Sequence, residues 1–298
     1  MRNNREYIVD NNYTEFQQRF KILAAKHPAW IINTLSNIFT MRLIGNKTHG
    51  DLAEIGIAEF VHQFMYDYDS RHVGKDLFRA KEHEEDIVII SELTKQEIPI
   101  SLKAYGDGPL QLSTDKEALM FPALCELGSD ITDKQVIDNV FSSAAFASLD
   151  TVNVMPLIYR EKSMEYNIMV FDFDKMRKET DRILYIDANQ RYDFNTHQVV
   201  NGRRSHPIYM FLNQRYEYIC EVRYGNASAN ALQRGFWTHT RHALPYFNSL
   251  TNGWITYEHN KTLVQLFRLA LNSTEQGHQR ANKILQADIE KLMQQSEK

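Results

Sequence analysis

Residues 82–117 read EHEEDIVIISELTKQEIPISLKAYGDGPLQLSTDKE, and this stretch decides the fold. Within it, two short runs rich in β-branched residues occupy 86–91 and 98–106, and the polar stretch ELTKQE separates them. Runs of this length and composition, bounded by polar residues, are typical of β-strands. The sequence therefore predicts a hairpin whose two strands lie side by side.

The rest of the chain alternates between helical and strand-like patterns. Helices are predicted over 13–25, 29–43, 51–65, 113–127 with a kink or break at Pro122, 132–148, 226–241, 261–271 and the polar 275–298. Further strands are predicted at 109–112, 152–159, 166–173, 182–188, 207–212, 216–224 and 253–259. This order predicts an α/β (α+β) fold, with a mixed central sheet flanked by helices and with N-terminal and C-terminal helical additions. No linker rich in Pro, Gly or Ser divides the chain, so we predict a single domain over 1–298.

Composition excludes several classes of protein. Hydrophobic residues make up 43% and charged residues 24% of the 298 positions, which is typical of a folded globular chain and excludes disorder for most of it. The formal net charge of −4 argues against a globally basic nucleic-acid coat protein. Cys125 and Cys220 form no CxxC pair, which disfavours a zinc ribbon or a disulfide scaffold. With no signal-peptide pattern or membrane-length apolar run, we expect a cytoplasmic protein.

Charged side chains are placed where the predicted hairpin would bring them together. Asp86 opens the first strand, Lys103 lies in the second, and Ser101 shares a face with Lys103 because strand side chains alternate. Glu117 stands at the start of the helix predicted next. Carboxylates that hold Mg²⁺ beside a lysine are suited to phosphodiester hydrolysis, since the metal activates water and the lysine offsets developing charge. A simple salt bridge between Asp86 and Lys103 is the alternative, although a lysine in a largely apolar strand without a function is uncommon.

The pattern Glu85-Asp86 followed by Ser101-Leu102-Lys103 resembles the active-site motif of the PD-(D/E)xK nuclease superfamily, specifically type II restriction endonucleases. The matching core covers roughly 50–127, under a third of the chain. Two positions depart from the motif, because Glu85 replaces a proline and Ser101 replaces the middle acid. The resemblance implies a restriction-endonuclease-like core and products with 5′-phosphate and 3′-hydroxyl ends.

The resemblance also implies roles for the acids around the motif. Asp86 and Glu117 would bind Mg²⁺, since some similar enzymes take a glutamate from the following helix when the middle acid is missing. Lys103 would position or activate the water, and Ser101 could hold a water by a hydrogen bond. The helix before the sheet often supplies an acid in related nucleases, so Glu59 is the alternative third acid, whereas Glu54 fits a solvated position better.

A second segment, within 205–242, is a candidate DNA-recognition region. Its polar side chains follow a strand end and a tight turn, and the predicted helix over 226–241 would present them to bases or phosphates. The candidates are Arg223, Asn226, Ser228, Asn230, Gln233 and Arg234. The alternative is an ordinary strand–turn–helix corner in which Glu221 and Arg223 pair with each other and Trp237 belongs to the core.

Together these patterns predict a Mg²⁺-dependent type II restriction endonuclease that cuts double-stranded DNA at specific sequences. Cutting both strands of a duplex suggests a homodimer. A repair or recombination nuclease of the same fold that recognises DNA structure is one alternative. A nuclease-like DNA-binding module without catalysis is another, and the serine at 101 is the main argument for it.

Overall fold

The computed structural model describes residues 4–44, 49–73, 85–150, 153–224, 230 and 233–271, together with isolated positions between 283 and 294. The chain divides into two compact units. Unit 1 comprises 1–106, 155–169 and 249–298, and unit 2 comprises 107–154 and 170–248. The predicted α/β class, with a mixed central sheet and flanking helices, is confirmed. The single nuclease domain over 1–298 stays a prediction.

The described helices and strands largely follow the sequence patterns. The α-helices are α1 (Asn4–Lys26), α2 (Pro28–Ile44), α3 (His49–Phe64), α4 (Met120–Leu127), α5 (Lys134–Phe141), α6 (Phe173–Glu179) and α7 (Lys261–Leu271), with 3₁₀ turns at Ala144–Asp150 and Leu244–Tyr246. The strands are β1 (Tyr68–His72), β2 (Ile87–Ser91), β3 (Glu97–Tyr105), β4 (Pro109–Thr114), β5 (Asp130–Ile131), β6 (Asn153–Arg160), β7 (Glu165–Phe171), β8 (Arg182–Ile186), β9 (Gln190–Asp193), β10 (Gln198–Asn201), β11 (Ile208–Leu212), β12 (Tyr218–Arg223), β13 (Gly235–His239), β14 (Phe247–Ser249) and β15 (Ile255–Thr256). Helix α1 begins well before the predicted residue 13, and most of 275–298 lies outside the described residues.

The first sheet contains the predicted hairpin. Its strands follow the order β1-β2-β3-β6-β7-β14, and β15 pairs with β7. Strands β2 and β3 are antiparallel, with Ile87 opposite Ile100. Helices α1 and α3 pack on this hairpin side of the sheet, where Phe16 of α1 meets Tyr68 of β1 edge to face at 5.4 Å. Helix α1 therefore contributes to the core of unit 1.

Unit 2 has its own sheet, which the sequence did not predict. Its strands follow the order β4-β13-β12-β11-β8-β5, and every neighbouring pair is antiparallel. One face carries a cluster of buried aromatic rings against α5 and the 3₁₀ turn that follows it. Phe236 lies between Phe146 and Phe211, with ring centroids 6.2 and 5.5 Å away, and Phe211 also meets Phe141 at 5.8 Å. This aromatic cluster is the core of unit 2.

The helix predicted over 226–241 is wrong where the structure describes it. Gly235–His239 form strand β13, which pairs with β12 on one side and β4 on the other. Phe236 and Thr238 are fully buried while Trp237 and His239 are half-buried, a strand alternation that pairing with a distant strand stabilises. Residues 226–229 and 231–232 of the predicted helix lie outside the described residues.

The break predicted at Pro122 is also wrong, as is the helix start at 113. Strand β4 continues to Thr114, and helix α4 begins only at Met120. The Asp115 carboxylate accepts hydrogen bonds from the backbone N–H groups of Leu119 (2.8 Å) and Met120 (2.9 Å), so it caps the helix. Pro122 then lies in the first turn of α4, where its missing N–H group removes no helical hydrogen bond.

Candidate functional site

Asp86 lies directly before β2 and opposite Ser101 of β3. Its backbone N–H donates to Ile100 O at 3.0 Å, which fixes the end of the hairpin. Its carboxylate oxygen Oδ2 accepts hydrogen bonds from the backbone N–H of Leu102 at 2.7 Å and from Ser101 Oγ at 3.2 Å. Ser101 is 2% exposed, so its hydroxyl reaches the carboxylate from the interior of the unit. The carboxylate is therefore held in one orientation by groups of the neighbouring strand.

Lys103 completes this cluster. Its Nζ atom lies 3.6 Å from Asp86 Oδ2, and the side chains of Lys103 and Asp86 are 26% and 23% exposed. Both groups are thus half-shielded from water but accessible to a substrate. The structure brings Asp86, Ser101 and Lys103 together in unit 1, and we call these three residues the hairpin cluster.

The hairpin cluster leaves one carboxylate oxygen available for a metal. All the contacts described above involve Oδ2, and within the described residues no hydrogen bond reaches Asp86 Oδ1. Mg²⁺ prefers oxygen ligands and is often held by one or two carboxylates, with waters and substrate phosphates as its other ligands. In the described ranges, no group of three or more His, Cys, Asp or Glu side chains is placed to hold a metal ion. Asp86 could therefore supply one oxygen ligand to a metal ion.

The three glutamates weighed as the further acid are not among the described contacts of Asp86. Glu117 is exposed in the turn before α4 and belongs to unit 2, whereas Asp86 belongs to unit 1. Glu59 is exposed on α3. Glu54 is 8% exposed instead of solvated, and its Oε2 lies 3.0 Å from His72 Nε2.

The Glu54–His72 pair places the buried glutamate beside the hairpin but on its other face. His72 is the Cα partner of Ile87, the residue after Asp86. Because neighbouring strand residues point to opposite faces, His72 and Asp86 face opposite sides of the sheet. The expectation that Glu54 is solvated is therefore wrong, and its described partner is a histidine.

In the recognition region of unit 2, Arg223 makes the ion pair that was the alternative to DNA contact. Its Nε atom lies 2.5 Å from Glu221 Oε1, and its guanidinium stacks 4.2 Å above the centroid of the Trp237 ring. Glu221 is 5% exposed at its side chain, and the nearby Arg204 Nη2 lies 3.5 Å from it. Trp237 is half-buried on the sheet. Arg223 is thus held in place, with 19% of its side chain exposed.

The other recognition candidates occupy different settings. Arg234 is 8% exposed, and its guanidinium donates to Asp115 O at 2.6 Å and Lys116 O at 2.5 Å. It joins β13 to the turn before α4, so we do not include it in the proposed DNA interface. Gln233 and Asn230 are exposed and linked by a backbone hydrogen bond of 2.8 Å. Asn226 and Ser228 lie outside the described residues.

Sequence reasoning missed the approach of Arg204 to Glu221. Glu221 stands in the largely apolar strand YICEVR, and a charged residue in such a strand needs a partner when it is buried. That signal was available, but it pointed only to Arg223, two residues along the same face. Arg204 belongs to a separate segment, and its approach to Glu221 depends on the fold.

Comparison of the chain with family models, curated proteins and solved structures found no match. Within the described part of the chain, no helix combines the length and the apolar character that crossing a membrane requires. A functional assignment therefore depends on the chemistry of the hairpin cluster and of the arginines in unit 2.

Proposed function

We propose that the protein is a Mg²⁺-dependent deoxyribonuclease of the type II restriction endonuclease kind. It would hydrolyse phosphodiester bonds of double-stranded DNA and leave 5′-phosphate ends. The observation that carries the proposal is the hairpin cluster. In this cluster, Lys103 Nζ of β3 lies 3.6 Å from the carboxylate of Asp86, the residue directly before β2. This is the arrangement that the resemblance to PD-(D/E)xK nucleases implies for Asp86 and Lys103.

Each member of the hairpin cluster has a distinct chemical task in this proposal. Asp86 would hold Mg²⁺ through Oδ1, and the bound ion supplies Lewis-acid polarisation of the phosphate and a more acidic water. Ser101 and the Leu102 N–H fix the carboxylate by donating to Oδ2. The Lys103 ammonium would orient the attacking water and offset the negative charge that develops on the phosphate oxygens.

Sequence-specific cutting of a duplex requires a second surface that contacts DNA. Arg223 and the exposed Asn230 and Gln233 of unit 2 are the described candidates, with side chains that can donate to base edges or phosphates. A homodimer would present one hairpin cluster to each strand of a palindromic site. We place this activity in the cytoplasm and leave Glu117 and Glu59 as candidates for a further metal ligand.

A DNA-binding module without catalysis is the second candidate function. It is favoured by the serine at position 101, whose hydroxyl donates to Asp86 where the nuclease motif has an acid. In that case the contact between Asp86 and Lys103 is a structural ion pair, and the protein binds DNA without cutting it.

Digestion of a mixed-sequence phage DNA distinguishes these functions. The purified protein is incubated with the DNA in Mg²⁺ and, in parallel, in EDTA, and the products are separated on a gel. Discrete bands that require Mg²⁺ are expected, and sequencing their ends gives the recognition site. A Mg²⁺-dependent smear would contradict sequence specificity and favour a repair-type nuclease, whereas bound but intact DNA would favour the binding module.

A further inference from the structure

Unit 2 contains a buried carboxylate shared by two arginines. Glu221 of β12 is 4% exposed and lies 2.5 Å from Arg223 Nε and 3.5 Å from Arg204 Nη2. One negative charge therefore faces two positive charges in a partly shielded place. The Arg204 and Arg223 side chains are 25% and 19% exposed, so the excess positive charge remains accessible to a ligand.

The two guanidinium groups have hydrogen-bond donors left over. Arg223 uses Nε for Glu221, and among the described residues no acceptor lies within hydrogen-bond distance of its terminal nitrogens. Arg204 contacts Glu221 only through Nη2 in the same part of the structure. Stacking on Trp237 fixes the plane of the Arg223 guanidinium. A guanidinium held this way presents a rigid fork that matches the oxygens of a phosphate.

Trp237 supports this arrangement through the face of its ring, because the Arg223 Cζ atom lies 4.2 Å from the ring centroid. Its indole Nε1 atom is buried and has no hydrogen-bond partner in the described part of the chain. Because that atom is shielded from solvent, the donors available to a ligand are the terminal nitrogens of the two arginines.

His206 reports the positive potential around these arginines. Burial and then the positive charges of Arg223 and Arg204 lower the pKa of His206 below its ordinary value. The imidazole is half-buried, and its Nδ1 atom lies 2.8 Å from Ser205 Oγ. The direction of this shift agrees with the positive charge that the two guanidinium groups place here.

We infer that Arg204 and Arg223, with Trp237 supporting the Arg223 guanidinium, form a binding site for a backbone phosphate of a polynucleotide. Glu221 is a positioning residue, which holds both guanidinium groups without cancelling their combined charge. A donor-only site with net positive charge selects an anion, and the guanidinium forks suit the tetrahedral oxygens of phosphate. The inference rests on the proposed function in taking DNA as the source of the phosphate.

Binding in the absence of cleavage tests this site. The full-length protein is titrated against a short fluorescent DNA duplex in EDTA, and anisotropy is measured at several salt concentrations. Arg204→Gln and Arg223→Gln are each expected to weaken binding by roughly tenfold or more, the range for a charge-assisted hydrogen bond. Each should also lower the slope of log affinity against log salt concentration by about one, as expected for one lost phosphate contact.

Arg182→Gln is the matched control, because Arg182 lies on β8 of the same sheet and both its Nε and Nη2 atoms already pair with Asp130 at 2.7 and 2.9 Å. It should leave affinity and salt slope unchanged. Arg223→Lys keeps a positive charge beside Glu221, so it controls for misfolding caused by an unpaired buried carboxylate. This variant should keep the salt slope of the wild type but bind DNA more weakly, because lysine lacks the two-pronged guanidinium group. Unchanged binding in both glutamine variants that remain folded would overturn the site.

Competition identifies the source of the phosphate. Unlabelled duplex should displace the fluorescent duplex, whereas inorganic phosphate at the same phosphate concentration should not. Equal displacement by inorganic phosphate would overturn the assignment to a polynucleotide. Binding is measured in EDTA and therefore does not depend on cleavage. If the variants bind DNA more weakly but the wild-type protein never cuts DNA, the phosphate site is supported and the nuclease proposal is refuted. If the wild-type protein cuts DNA but the variants bind DNA as tightly as the wild type, the nuclease proposal is supported and the phosphate site is refuted.

Discussion

Replacing Ser101 by aspartate tests whether the hairpin cluster holds a metal. Ser101 is 2% exposed, and its Oγ atom lies 3.2 Å from Asp86 Oδ2. The substitution Ser101→Asp therefore puts a second carboxylate beside the first, in a place that water reaches poorly. It also restores the acid that the nuclease motif has at this position.

The cost of this change can be worked from the geometry. Two unit charges about 4 Å apart repel by about 4 kcal/mol at an effective dielectric constant of about 20. Lys103, at 3.6 Å from Asp86, offsets part of the repulsion. We therefore expect Ser101→Asp to lose about 2–4 kcal/mol of stability in EDTA, a fall in unfolding temperature of roughly 5–15 °C.

Magnesium should recover most of that loss, because a divalent cation between two carboxylates removes their repulsion. At a free Mg²⁺ concentration of about 100 times its dissociation constant, binding stabilises the folded state by about 2.7 kcal/mol. Thermal melts in EDTA and in increasing Mg²⁺ measure the effect, and Ser101→Asn, similar in size but uncharged, is the control. If Mg²⁺ raises the unfolding temperature of the aspartate variant no more than that of the asparagine variant, Asp86 does not hold a metal.

Three further changes have defined outcomes. Gly235→Ala should cost at least about 2 kcal/mol in chemical denaturation, because φ is +121° and the new Cβ would lie 2.3 Å from Ser113 O; a loss below about 0.5 kcal/mol would contradict the strand geometry. Arg234→Gln should cost about 2 kcal/mol while folded protein binds DNA normally, since the buried guanidinium holds backbone carbonyls; weaker DNA binding at full stability would refute that role. Melting temperature should fall between about pH 7 and 5.5, because burial lowers the pKa of three histidines below 6.5 and the unfolded chain then binds more protons; a flat or rising profile would contradict this. These histidines are His206, His239 and His259.

The hairpin cluster could be predicted from sequence because it is local. Asp86 and Lys103 lie on adjacent antiparallel strands joined by a short connection, so strand alternation is enough to bring them to one place. The helices predicted over 13–25 and 51–65 were readable for the same reason, since each depends only on the helical period. What could not be read was the position of Glu117, which belongs to unit 2 while Asp86 belongs to unit 1.

The error at β13 shows where local patterns fail. The stretch after Tyr224 has polar residues and a turn, which favoured a helix, yet Gly235 pairs with Arg223 and also with Thr114, far away in the sequence. Pairing of this kind depends on partners that no local window contains.

The recognition region could be predicted only in part. The alternation of Glu221 and Arg223 along one strand correctly indicated that they could pair. The approach of Arg204, and the stacking of Arg223 on Trp237 from the neighbouring strand, required the pairing of β12 with β13. Long-range strand pairing therefore limits prediction of the recognition region.

The most direct test of the account compares cleavage rates of two lysine variants in Mg²⁺. Lys103→Ala removes the ammonium beside Asp86, whereas Lys95→Ala removes an exposed lysine that pairs with Glu92 in the turn of the same hairpin. We expect Lys103→Ala to cut DNA at least about 100-fold more slowly than the wild-type protein, the loss typical of a proton-transfer group, while binding DNA equally well in EDTA. We expect Lys95→Ala to cut at the wild-type rate. Equal rates for the two variants would contradict the assignment of the hairpin cluster as the catalytic centre.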